Sequence, residues 1–148
     1  MAIREATEAD LPAVMPLLRG YTDFYESDPT DEGLEAMTRD VIAAPEDKAF
    51  LLVATEDDGD VVGFALNQWK WSSLHGARVV FLDDLFVAES ARGQGHADAL
   101  IEATAEVGRK HGAAVVTWLT THDNHRARKV YDRVGGESGP LLEYMLTI

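Results

Sequence analysis

Val79-Val80-Phe81-Leu82-Asp83-Asp84-Leu85-Phe86-Val87, followed at short range by Arg92-Gly93-Gln94-Gly95-His96-Ala97, decides how this chain is read. The first run is apolar and β-branched, as a strand would be; the second is a glycine-spaced turn, and the residues after it, Asp98 to Lys110, are helix formers. A strand that turns through glycines into a helix leaves backbone N–H groups unpaired at the helix start. Such a geometry binds phosphate. Gly93 and Gly95 let the backbone approach an anion without a Cβ in the way, and Arg92 can add a charge-assisted contact.

The loop is not a Walker loop, because no Gly-Lys-Ser/Thr follows at the required spacing. It is also a poor dinucleotide fingerprint. That motif needs a third small residue where this chain has Asp98, and an acidic residue at the end of the next strand, where Val115 to Thr120 runs into Thr121 and His122.

At 148 residues the chain predicts one domain, 1–148, long enough to bury a core of its own. No apolar stretch approaches the ~20 residues that span a bilayer, and Met1-Ala2-Ile3-Arg4-Glu5 lacks the layout of a signal peptide. The expectation is a soluble cytoplasmic protein with no membrane partner. It has no cysteine, which excludes disulfides, zinc-thiolate sites and a cysteine nucleophile. A net charge of −13, from 26 acidic and 13 basic residues, argues against nucleic acid and for cationic partners. His122, Asp123 and His125 do not have metal-ligand spacing, so no metal site is expected.

Ile3 to Ala6 reads as a first strand. Thr7, with Asp10 three residues on, opens a helix whose apolar residues run from Leu11 to Tyr25 at the 3.6-residue period. Pro29 interrupts it, and Thr30-Asp31 starts a second helix that ends before Pro45. Ala49–Thr55 and Val61–Trp71 are strands joined around Asp58-Gly59, a hairpin signal, and Arg78–Val87 is a third strand. After the loop come helix 97–110, strand Val115–Thr120, helix Asn124–Val134, a glycine-rich turn and a last strand, Leu141–Ile148. The expected order is β-α-α-β-β-β-α-β-α-β: a mixed α/β fold with a mostly antiparallel central sheet flanked by helices.

Arg92 to Ala97 fits the pattern Gln/Arg-x-x-Gly-x-Gly/Ala, and in this the chain resembles the Gcn5-related N-acetyltransferases, whose pyrophosphate loop binds acetyl-coenzyme A. The element order is also that of their fold. A second block agrees: Asn124, Ala127, Tyr131 and Gly135 match the family's Asn-x-x-Ala-x-x-x-Tyr-x-x-x-Gly segment. Within the family, the acidic Leu82–Val87 strand together with Asn124-His125 looks most like the branch assigned to polyamine, histone and D-amino-acid acetylation.

The resemblance implies that Arg92, Gly93, Gln94, Gly95, His96 and Ala97 hold the pyrophosphate. It further implies that Leu85, Phe86 and Val87 meet the pantetheine arm through backbone groups, and that Asn124 and Ala127 complete the cofactor site. Acetyl transfer to an amine needs a base for the ammonium proton, a donor to the oxyanion and an acid for the leaving thiolate. Asp83 and Asp84 are the candidate bases. Strand alternation turns only one of them to the cleft unless a bulge intervenes. Asp83 aligns with the family's acidic base, usually glutamate; aspartate is one methylene shorter, which favours a bridging water. The backbone near Leu85 is the implied oxyanion donor.

Tyr131, two helical turns after Asn124 and on the same helix face, is the implied general acid. For the acceptor, Trp69 and Trp71 share a strand face and suggest an aromatic wall; with Tyr25, Glu26 and Asp83 it would hold a small cationic amine. A polyamine or amino acid is the expected acceptor. Acetylation of protein lysines or N-termini, a coenzyme-A-binding module without turnover, and a homodimer all stay open.

Overall fold

The computed structural model describes residues 1–148. Its elements are β1 (Ala2–Glu5), α1 (Leu11–Phe24), α2 (Asp31–Ala43), β2 (Ala49–Thr55), β3 (Val61–Ser72), β4 (Ala77–Val87), α3 (His96–Lys110), β5 (Val116–Thr117) and α4 (His125–Arg133). Five strands form one sheet in the order β1-β2-β3-β4-β5. The first three pairings are antiparallel and β4–β5 is parallel, as a strand–helix–strand crossover through α3 demands.

Both faces of the sheet are covered. Val14, Leu17 and Leu18 of α1 pack on Leu51, Val53, Phe64 and Leu66 on one face. Leu100 and Ile101 of α3 pack on Leu52, Val80, Leu82 and their neighbours on the other. Phe64 and Leu100 are wholly buried, and burial of a side chain of that size is worth roughly 1.5–3 kcal/mol. This two-sided burial explains why β2 reads as a continuous apolar run rather than an alternating one.

The local signals behave as the residues dictate. The Asp10 carboxylate accepts from the Thr7 amide at 2.7 Å and takes both arms of the Arg4 guanidinium at 2.8 and 2.7 Å. A short 3₁₀ turn, Glu8–Asp10, therefore precedes α1. Thr30 caps α2, its hydroxyl accepting from the Gly33 amide at 3.1 Å.

Two expectations need correction. The strand expected over Val115–Thr120 is regular only at Val116–Thr117. The last strand expected over Leu141–Ile148 is not formed: those residues carry no regular structure, and their large apolar side chains are exposed. Alternation and β propensity mark a segment able to be a strand, but a strand also needs an edge to pair with.

Candidate functional site

The site starts from a defect in the sheet. Leu66 of β3 opposes Asp84 and the next residue, Asn67, opposes Leu82, so Asp83 is the extra residue of a β-bulge. A bulge bends its strand and raises its twist. Beyond it β4 has no partner on its outer side, because β5 pairs only with Val80 and Phe81. The two parallel strands part there, and a cleft of about 560 Å³ opens at Leu85, Phe86 and Val87.

The floor of the cleft is the glycine loop. Gly93 and Gly95 have φ of +79° and +87°, and an added Cβ at either would meet open space. Glycine is therefore required by backbone conformation and not by crowding. The amides of Gly93, Gln94 and Gly95 donate to no group of the protein, and the N-terminus of α3 begins at His96. Free amides, a helix start and cleft-lining Arg92, Arg126 and Lys129 make an anion cradle fit for a pyrophosphate. Arg92 also anchors the loop: its Nε donates to the Val87 carbonyl at 3.0 Å. Burial and nearby Arg126 lower its pKa from the ordinary arginine value. The His96 ring is buried, lies 3.9 Å from the Glu56 carboxylate and has neither nitrogen hydrogen-bonded.

Across the cleft stands α4. Asn124 caps it by accepting from the Ala127 amide at 3.3 Å. Asn124, Ala127 and Tyr131 all line the cleft, as does Tyr25. Arg128 does not; it turns away to the His122 carbonyl at 2.9 Å.

A smaller pocket adjoins the cleft and shares Tyr21, Tyr25, Leu85 and Tyr131 with it. Asp83 lines this pocket beside Leu82, Trp118 and Leu119, with one carboxylate oxygen buried and without a partner. Burial, then the neighbouring Asp84 charge, raises the Asp83 pKa to about 6. The Asp84 pKa is also raised by burial, and the Tyr21 hydroxyl, which donates to the Asp83 carbonyl at 3.5 Å, pulls the other way. Tyr131 packs on Trp118 with ring centroids 5.3 Å apart. Burial, and secondarily Tyr25, raises its pKa to about 12.

The aromatic wall does not assemble as expected. The Trp69 indole donates to the Glu46 carbonyl at 2.9 Å, stacks under Arg78 and meets the His111 ring edge-on. These partners hold it at the C-terminal end of α3, among structural contacts rather than in either pocket. Trp71 is 80% exposed, and Glu26 is exposed and lines neither pocket. The strand alternation was right, but the face it selects is remote from the cleft. Tyr21 lines both cavities, where neither tryptophan does. Its helical period marks it as an apolar-face residue of α1, and period alone leaves core and cavity lining open.

Residues 14–136 match the Acetyltransferase (GNAT) family. The chain is 32% identical over its whole length to an uncharacterized N-acetyltransferase of Bacillus subtilis, YhfO, covering 98% of that protein. It is 36% identical over 86 residues to the D-amino-acid N-acetyltransferase HPA3 of Saccharomyces cerevisiae, a match spanning 58% of this chain and 53% of that one. Among solved structures, an aminoglycoside N-acetyltransferase, AAC(6')-Iy, in complex with CoA superposes with a TM-score of 0.83 at 25% identity, covering 99% of this chain and 93% of that one. The fold, the glycine loop and these likenesses agree, and the chain belongs to the GNAT family of acetyl-CoA-dependent N-acetyltransferases.

Proposed function

We propose that this enzyme transfers acetyl directly from acetyl-coenzyme A to the primary amine of a small cationic molecule in the cytoplasm, with Asp83 as base and Tyr131 as acid. The observation that carries this reading is the convergence of Asp83 and Tyr131 on one pocket that opens into the cleft. Coenzyme A supplies the activated acetyl group as a thioester. The chain's own residues do the rest. Gly93 to Ala97 hold the pyrophosphate by backbone N–H groups, and the unpaired outer edge at Leu85–Val87 receives the pantetheine arm.

Asp83, with an unpartnered buried oxygen, takes a proton from the incoming ammonium so that the amine lone pair can attack. As the C–N bond forms and the C–S bond breaks, a backbone N–H near Leu85 faces the oxyanion. Tyr131, protonated at neutral pH and with its pKa lifted further by burial to about 12, gives its proton to the departing sulfur, and the second proton that the nitrogen sheds as it becomes an amide restores the phenol. A largely apolar pocket whose one charged lining group is the Asp83 carboxylate favours a positively charged acceptor over an anionic one. The acceptor classes of greatest interest are amino acids, including D-amino acids as in HPA3, and polyamines.

The test is an acceptor screen that follows free thiol release. Polyamines, L- and D-amino acids, lysine analogues, aminoglycosides and basic peptides are each offered with acetyl-CoA. Turnover above hydrolysis with a small amine is the expected result. Turnover confined to peptides would overturn the acceptor assignment, and silence across all classes would overturn catalysis.

A further inference from the structure

The sheet face that carries α1 is covered only part of the way along β3. Phe64 and Leu66 lie under Val14, Leu17 and Leu18. Strand alternation then brings Gln68 and Lys70 to the same face, and both are exposed. β4 continues this open stretch. Val80 and Leu82 belong to the core beneath α3, so Phe81 turns to the other face, where the Lys70 Nζ lies 4.4 Å from its ring centroid. Gln68 opposes Phe81 in the register. Asp83, two residues on from Phe81, falls on the same face, and the Tyr21 hydroxyl of α1 reaches its carbonyl at 3.5 Å.

Beside the proposed base there is thus an open shelf with an aromatic floor, a carboxylate at one end and an ammonium at the other. Acidic residues outnumber basic ones 26 to 13, yet Lys70 joins no salt bridge. A lysine without a carboxylate of its own is free to bind one from outside. Two residues span roughly 7 Å along a strand, so a charge held over the Phe81 ring stands one small molecule's length from the Asp83 carboxylate. The two charges already act on each other: burial and Asp84 raise the Asp83 pKa, and Gln68 and Lys70 draw it partly back.

We propose that the acceptor is a zwitterion, an amino acid whose ammonium is delivered to Asp83 while its carboxylate is held by Lys70, and that Lys70 thereby selects amino acids over polyamines. A polyamine laid along the shelf with one ammonium at Asp83 brings a second positive charge towards Lys70, and that repulsion counts against it. An amino acid meets a partner at each end. Gln68, standing beside the floor between them, offers both a donor and an acceptor. The inference rests on the acceptor reading above and narrows it to one class.

The test compares molecules that differ in the anion alone. Each L- and D-amino acid is offered with acetyl-CoA beside its own amide, which keeps the amine and the side chain and loses the carboxylate, and beside spermidine. Free acids should exceed their amides roughly tenfold or more in kcat/KM, although the amide's amine is the less basic and sheds its proton more readily. Lys70→Gln should bring the ratio of acid to amide close to one by raising the KM for the acid, and Lys70→Arg should preserve it. Loss of the Lys70 charge also lets the Asp83 pKa rise, but that acts on acid and amide alike, so the ratio isolates the carboxylate contact.

Amides or spermidine acetylated as well as the free acids would overturn the inference and leave transfer to a small amine standing. An acid-to-amide ratio that Lys70→Gln does not move would do the same. Silence with every amine overturns the acceptor reading itself, and this inference with it.

Discussion

The two halves of the site are built by different means. The half we assign to the donor, from Leu85 to Ala97, is contiguous in sequence and is made of backbone: unpaired amides, two left-handed glycines and the start of α3. The half we assign to the acceptor is made of side chains brought from α1, β4, α4 and the segment after β5: Tyr21, Tyr25, Asp83, Tyr131 and Trp118, which line one pocket. Backbone recognition tolerates change in the side chains around it, because the groups that bind belong to every residue type. A side-chain site has no such tolerance, and it is there that related enzymes can diverge in acceptor while keeping one donor.

The sharpest way to break this division is at Asp83. Asp83→Asn keeps the shape and removes the base, so kcat/KM for the amine should fall roughly a hundredfold or more while coenzyme A affinity, measured by calorimetry, stays as it was. The pH profile supplies a sign. A base must be unprotonated to act, so activity should fall as pH drops through about 6, and the Asn variant should lose that acid limb. A limb that survives the substitution would assign the base elsewhere. Tyr131→Phe comes next: loss of the proton donor should lower kcat by roughly a hundredfold with no change in coenzyme A affinity. Equal turnover would remove Tyr131 from the chemistry.

The donor half should respond in the opposite sense. Gly95→Ala forces an L-residue into a φ of +87°, a strain of ~1–2 kcal/mol that the loop relieves by turning its amides from the ligand. Coenzyme A affinity should weaken roughly 5- to 30-fold, with kcat at saturation little changed. If the glycine variant lost kcat and not affinity, the loop would belong to the chemistry and the division between the halves would fail.

The same contrast explains what could be read before the structure. The glycine loop, the strand it leaves and the Asn124–Tyr131 spacing are local patterns, and each lies where its spacing places it. The bulge was legible only as a condition. Two adjacent aspartates on a strand cannot share a face without one, but the register that makes Asp83 the extra residue is set by β3. Tyr21 was hidden because a helical period does not distinguish a core residue from one that lines a cavity. Leu141–Ile148 was misread for a related reason: its pattern is that of a strand, but pairing is a property of two segments, and one chain's sequence does not say that the second is at hand.

The smallest expected effects lie at the tryptophans, where sequence and structure part most plainly. Trp69→Phe deletes the indole N–H that bonds the Glu46 carbonyl while keeping an aromatic ring against Arg78 and His111. One hydrogen bond of this kind is worth about 1 kcal/mol, a loss that thermal or urea unfolding resolves. Trp71→Ala, on a side chain already in water, should change stability by no more than ~0.5 kcal/mol. Neither substitution should alter the KM for the amine, because neither ring lines the cleft or the pocket beside it. A rise in acceptor KM in Trp71→Ala, with stability intact, would return that ring to the acceptor path and move the boundary between the halves to the far end of β3.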